Sequence, residues 1–200
     1  MIDIGANLGY FSRILGRLVG KAGKVYAVEP VAPIREVLRR NVQRAGNVEI
    51  LPYALGRENC SITMANSSAH SDGYLGTGRN YVSESEQQEC EAIEFTAEMK
   101  RGSELFAGLE RLDFIKCDIE GYETVVIPEI AAVIERFLPV VLIETGGPSR
   151  FEILKMFREW GYAGYVLERG RLISVMRAPD KDIVFVPGHR YEEFEKFIVR

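Results

Sequence analysis

Seven short apolar runs alternate with segments of helical period, and that alternation limits the folds open to this chain. The runs are "MIDI", "KVYAV", "VEILPYAL", "LDFIKCDI", "PVVLIE", "YAGYVLE" and "DIVFV". Most are apolar without strict alternation, as strands covered on both faces require. Between the first two lies "GYFSRILGRLVG", with Phe11, Ile14, Leu15 and Leu18 on one helical face. In "VAPIREVLRRNVQRAG", Ile34, Val37, Leu38 and Val42 are expected inward, with Pro33 near the start and Gly46 as a stop. "SRFEILKMFREWG" carries Ser149 and Glu152 at capping-box spacing and ends at Gly161. Strand-helix-strand repetition implies a parallel sheet with right-handed crossovers. "YVLERGRLISV" reads as a hairpin turning at Arg169-Gly170, which with "DIVFV" adds an antiparallel feature at one sheet edge. Residues 65–88 are polar and read as a long surface loop, the kind that often serves as a lid.

Two hundred residues, 46% of them hydrophobic, suit one compact domain over 1–200. A formal charge of -4 offers no basic footprint for nucleic acid, and Arg35, Arg39, Arg40 and Arg44 read as the solvated face of a helix. Cys60, Cys90 and Cys117 form neither a disulfide framework nor a metal knuckle, so a reducing cytoplasm is the simplest setting. No apolar run approaches the ~20 residues that span a bilayer, and no signal-peptide pattern opens the chain.

The first run turns at "DIGANLG", with Gly5 and Gly9 four apart. A dinucleotide fingerprint needs glycine where Asn7 and Tyr10 stand, and no Gly-Lys-Ser/Thr follows to make a phosphate loop. Asp3, just before the turn, repels phosphate and attracts a cation. S-adenosylmethionine bears an ammonium and a sulfonium and no phosphate, so it suits the loop better than a dinucleotide. Four runs end in an acid: Asp3, Glu29, Asp118 and Glu144. In an open parallel sheet these line the edge where ligands bind. Glu29 follows Gly9 by 20 residues, the spacing at which an acid grips a ribose diol.

"DIGANLGYFS", "VYAVEP", "FIKCDIEGYE" and "DIVFVP" together resemble the FkbM-type branch of class I S-adenosylmethionine-dependent methyltransferases, in order along nearly the whole chain. The resemblance implies a Rossmann-like, doubly wound α/β fold: a seven-stranded, mostly parallel sheet with a final antiparallel strand. It implies methyl transfer, commonly to a hydroxyl oxygen of a small molecule or glycan. Asp3, Gly5, Asn7 and Gly9 would surround the methionine half, Glu29 and Pro30 the ribose, and Tyr53 or Ala54 the adenine. Relatives usually carry an additional strand segment and helical material before this point, so the 200 residues are expected to be a fragment or to carry a mis-assigned start.

An alcohol acceptor must lose its proton, which calls for a base or a metal ion. Asp118 and Glu120 are the nearest candidates, and His70 in the expected lid is another. Asp118 with Glu144 offers an alternative seat for magnesium. The plainer roles are structural: Asp118 accepting backbone N–H groups around Gly121, Glu123 as an exposed acid at a helix start, Cys117 as a small core hydrophobe, and Phe157 and Trp160 as helix packing. Two other classes share these features: a nicotinamide oxidoreductase, and a non-catalytic domain that keeps the cofactor fold.

Overall fold

The computed structural model describes residues 1–66, 80–82, 93–119, 121–177 and 182–199. The chain begins with β1 (Ile2–Ile4), α1 (Tyr10–Leu18), β2 (Val25–Val28), α2 (Ala32–Val42) and β3 (Val48–Leu51). There follow β4 (Tyr53–Leu55), β5 (Cys60–Asn66), β6 (Asn80–Val82), β7 (Ile93–Lys100) and α3 (Gly102–Leu105). Next come β8 (Phe114–Cys117), α4 (Glu123–Glu129), α5 (Ala131–Phe137), β9 (Val140–Glu144) and α6 (Gly147–Glu159). The last elements are β10 (Tyr162–Glu168), β11 (Arg171–Ser174), β12 (Asp182–Pro187) and α7 (Tyr191–Phe194). None of the described helices is long and apolar enough to cross a membrane.

The main sheet has the order β11-β10-β12-β9-β8-β1-β2-β3. β1, β2, β3, β8 and β9 run parallel, and β12 runs antiparallel to both β9 and β10. The expected Rossmann-like doubly wound sheet is thus present, and the hairpin at Arg169-Gly170 adds β11 outside the seven expected strands. The reversed strand β12 is not the edge strand expected: it lies two places inside that end of the sheet, with β10 and β11 beyond it. On one face, Ile2, Ile4, Ile115, Cys117, Val141 and Ile143 pack against Val126, Ile127, Ile134, Ile153 and Phe157 of α4, α5 and α6. Each such side chain contributes about 1.5–3 kcal/mol on burial. Phe157 stacks on Phe185 at 4.0 Å and meets Trp160 at 5.2 Å, so Phe157 of α6 and Trp160 just past its end are packing residues.

"VEILPYAL" is two strands. Pro52 lacks the N–H that a continuous ladder needs, and β4 leaves for a second sheet of order β4-β7-β5-β6. Within the stretch expected to be a loop, Ala65–Asn66 complete β5 and pair with Asn80–Tyr81 of β6. Val82 of β6 also falls in that stretch and pairs with Met64 of β5, and the remaining residues of the stretch lie outside the described residues.

Three helix details differ from the periodic pattern. In α1 the buried residues are Ser12, Leu15 and Gly16, while Phe11, Ile14 and Leu18 are exposed. Ser12 turns inward because its hydroxyl serves Asp3, and Gly16 because a Cβ there would lie 2.9 Å from Val48 Cγ2. In α2, Ile34, Leu38 and Val42 are buried as expected and Val37 is exposed. Finally, α6 starts at Gly147 without a side-chain cap, so Ser149 and Glu152 form no capping box.

Candidate cofactor and active site

The turn after β1 is built on three left-handed residues, Gly5, Asn7 and Gly9, with φ of 75°, 51° and 84°. Gly5 has no substitute: a Cβ would sit 1.9 Å from the Asp118 carbonyl oxygen. At Gly9 a Cβ would sit 2.3 Å from Leu38 Cδ1, so this glycine lets α1 start against α2. Asn is one of the few side chains that tolerate the left-handed region at Asn7. The Gly5 and Ala6 N–H groups donate to the Val28 carbonyl at 3.1 and 2.9 Å, latching the turn to the end of β2.

Directly beyond that latch lies Glu29, buried. Its Oε2 accepts the Asn7 N–H and its Oε1 the Val31 N–H, each at 2.9 Å. A carboxylate has about four acceptor sites, so two remain for a diol. Burial raises the Glu29 carboxyl above its usual range, and the two N–H groups oppose the rise. The Arg35 guanidinium donates to the carbonyls of Glu29 and Pro30 at 3.1 and 2.7 Å, fixing the path after β2.

Under α1 runs a chain of buried polar contacts. Ser12 Oγ donates to Asp3 Oδ2 at 2.6 Å. Lys116 Nζ lies 3.8 Å from Asp3 Oδ1 and 3.0 Å from Asp118 Oδ2, donates to the Gly5 carbonyl at 3.3 Å, and sits over the Phe11 ring. Asp3 is fully buried, and burial raises its carboxyl above the usual range against the pull of Lys116 and Ser12. Lys116 carries no part in the motif reading. Its signal was a cation inside the apolar run "FIKC", which can be buried only beside a counter-charge.

Asp118 follows β8 and Glu144 ends β9, directly after the paired residues Cys117 and Ile143, so the two acids are neighbours at the carboxyl edge. Among the described residues, Asp118 accepts no N–H from the turn at Gly121. Glu123 does: it is buried, and its Oε1 accepts the Ile119 and Gly121 N–H groups at 3.2 and 3.1 Å. The turn-binding role considered for Asp118 thus falls to Glu123, which is buried rather than the exposed helix-start acid expected. Cys117 is fully buried in the core, and burial pushes its thiol well up. Tyr53 and Ala54 begin β4, just past the carboxyl end of β3, where Leu51 accepts the Glu29 N–H at 3.1 Å. Glu120 and His70 lie outside the described residues. Among the described residues no three His, Cys, Asp or Glu are grouped to hold a metal.

Around the turn, the carboxyl groups of Asp3 and Asp118 share the ammonium of Lys116, and that of Glu29 accepts the Asn7 and Val31 N–H groups. That set suits a ligand bearing positive charge and a diol, and it opposes a pyrophosphate. An open sheet of this strand order, with its reversed strand, glycine turn and acid after β2, has the architecture of class I methyltransferases. Residues 3–163 match the Methyltransferase FkbM domain, and the chain belongs to that family.

In fold it is similar to methyltransferase FkbM from Methylobacillus flagellatus KT, at 17% identity and a TM-score of 0.58 over 92% of this chain and 42% of that one. It is also similar to precorrin-6y C5,15-methyltransferase from Geobacter metallireducens GS-15, at 13% identity and a TM-score of 0.51 over 92% and 75%. In sequence, 53 residues are 40% identical to the protein-L-isoaspartate O-methyltransferase of Methanosarcina mazei, 26% of this chain and 22% of that protein. The chain thus matches under a quarter of that enzyme's length and under half of the Methylobacillus structure.

Proposed function

We propose that this chain is the catalytic domain of an S-adenosylmethionine-dependent O-methyltransferase, acting on a hydroxyl of a small molecule or glycan. The observation that carries the reading is the Asn7–Glu29–Val31 latch, which orients a carboxylate with spare acceptor capacity at the end of β2. When bound, the cofactor supplies a methyl group made electrophilic by its sulfonium. Gly5, Asn7 and Gly9 would hold its amino-acid end, with the buried Asp3 adding its charge from beneath the turn, Glu29 and Pro30 would hold its ribose, and Tyr53 and Ala54 its base. Positioning alone supplies roughly 7–11 kcal/mol of the barrier.

Of the two carboxylates joined by Lys116, Asp3 is shut away, whereas the Asp118 side chain is 31% exposed. Asp118 is therefore the group that meets the acceptor and takes its proton, with Lys116 fixing the carboxylate in place. Glu120 and His70 are further candidates for the same proton. Lys116 already occupies one Asp118 oxygen, which favours a metal-free mechanism over magnesium between Asp118 and Glu144. Among the described residues the thiols of Cys60 and Cys117 are free, and the setting proposed for the chain is a reducing cytoplasm.

Calorimetry and thermal shift with S-adenosylhomocysteine and with NAD test the reading. S-adenosylhomocysteine should stabilise the fold by about 2.7 kcal/mol at ~100 times its dissociation constant, and Glu29→Ala should remove most of that effect. Stabilisation by NAD instead would return the chain to the oxidoreductases. Cofactor binding without turnover on a panel of alcohols and sugars would favour the non-catalytic class.

A further inference from the structure

Away from the carboxyl edge, α1 and α2 leave an open groove of about 820 Å³ between their C-terminal halves. Five of its twelve lining residues are Arg13, Arg17, Lys21, Arg40 and Arg44, and none is an acid. The chain as a whole has 29 Asp and Glu against 25 Lys and Arg, so the groove reverses the balance of the molecule. Arg13, Arg17 and Lys21 recur every four residues along and just past α1. Arg40 and Arg44 do the same along and just past α2.

Basic residues at helix C-termini complement the helix dipoles, but two such ends present only about one negative charge together. Arg40 also shares the Glu36 carboxylate, at 3.4 Å. Arg13, Arg17, Lys21 and Arg44 form no ion pair among the described residues. Their charge exceeds what the fold itself uses.

The frame that carries these cations is fixed. Asn47 Nδ2 donates to the carbonyls of Gly16 and Gly20, both at 2.7 Å, tying the end of α1 to the turn before β3. Gly16, Gly20, Ala45 and Gly46 leave the floor open as backbone. Along α1, at 1.5 Å per residue, the groove runs from Arg13, about 6 Å past Gly9 of the turn, to beyond the far end of the helix.

We infer that this groove is a second binding site, for a compact anion carrying clustered phosphate groups. Guanidinium forks match phosphate oxygens two at a time, and a groove of this volume suits a small ligand. No aromatic side chain lines it to stack a nucleobase.

The test is calorimetry of the chain with tripolyphosphate at low and high salt, beside Arg17→Ala and Arg44→Ala. Binding should be one to one, weaken with salt, and weaken roughly 10-fold or more for each arginine removed. Both variants should bind S-adenosylhomocysteine like the parent, which shows that they fold. No tripolyphosphate binding by a folded chain overturns the site, as does binding indifferent to both substitutions. Single-stranded RNA or phosphatidylserine vesicles, bound more tightly than tripolyphosphate and dependent on the same arginines, overturn the compact ligand.

Discussion

Lys116 and Asp118 stand two residues apart on one face of the end of β8, with Nζ 3.0 Å from Oδ2. The same ammonium reaches Asp3, so one cation serves two carboxylates from two adjacent strands. Lys116→Met would leave Asp3 charged, buried and unmatched. Breaking a buried pair from one side costs about 3–5 kcal/mol, and urea unfolding at neutral pH should show a loss of that size. A loss below ~1 kcal/mol, the range of exposed pairs, would mean that Asp3 finds another partner.

The glycines of the site divide by what surrounds them. Gly5→Ala meets the Asp118 carbonyl at 1.9 Å as well as an unfavourable φ of 75°, so it should yield little folded protein. Gly121 has φ of 97° but nothing within 4 Å of a Cβ. Gly121→Ala should therefore fold with a loss of about 1–3 kcal/mol from backbone strain alone. Equal losses in thermal melts of the two variants would contradict the packing described at Gly5.

Acid stability carries a signature of the buried acids. Asp3 and Glu29 have carboxyls raised above ordinary values of 3.8 and 4.5, each first by burial. A raised value means that the folded state holds its proton more tightly than the unfolded state. Their contribution is thus fully present below the ordinary values and is lost as pH rises through the raised ones. Relative to Asp3→Asn, the parent should lose stability from pH ~4 upward until Asp3 has ionised. Parallel curves for parent and variant would show that Asp3 titrates as it does in the unfolded chain.

Catalysis separates Asp118 from its neighbours. Asp118→Asn keeps size and hydrogen bonding and should cut turnover roughly 10²–10⁴-fold, with S-adenosylhomocysteine affinity little changed. EDTA should leave the parent's rate unaltered. Loss with EDTA, restored by magnesium, would place a cation between Asp118 and Glu144. Near-full turnover of Asp118→Asn would pass the proton to His70 or Glu120.

Much of this architecture was legible in the sequence because parallel strands buried on both faces leave apolar runs with few alternatives. The carboxyl edge was legible for the same reason: an acid that ends such a run has one place to go. Contacts between residues distant in sequence were not. Nothing in the periodicity of α1 says that Ser12 faces inward, since that depends on Asp3 lacking another donor. Near Gly121, two acids five residues apart could each have bound the turn, and only the register of β8 assigns Glu123 to it. Lys116 matches no motif, and its meaning appears once β1 lies beside β8. Pro52 was visible inside "VEILPYAL", but it marked a change of sheet only because β7 waits to pair with β4.

The Lys116 contact to the Gly5 carbonyl joins residues 111 apart in sequence. Ribosomes add about 5–20 residues per second, so on the order of 5–20 s pass between the synthesis of these two groups. Through that interval β1 can pair with β2 but has no neighbour on its other edge, and Asp3 has no ammonium. Folding of the site must therefore come late, after the second sheet has emerged. The nascent chain carries an open strand edge meanwhile, a hazard that a chaperone or rapid docking of α1 would have to cover.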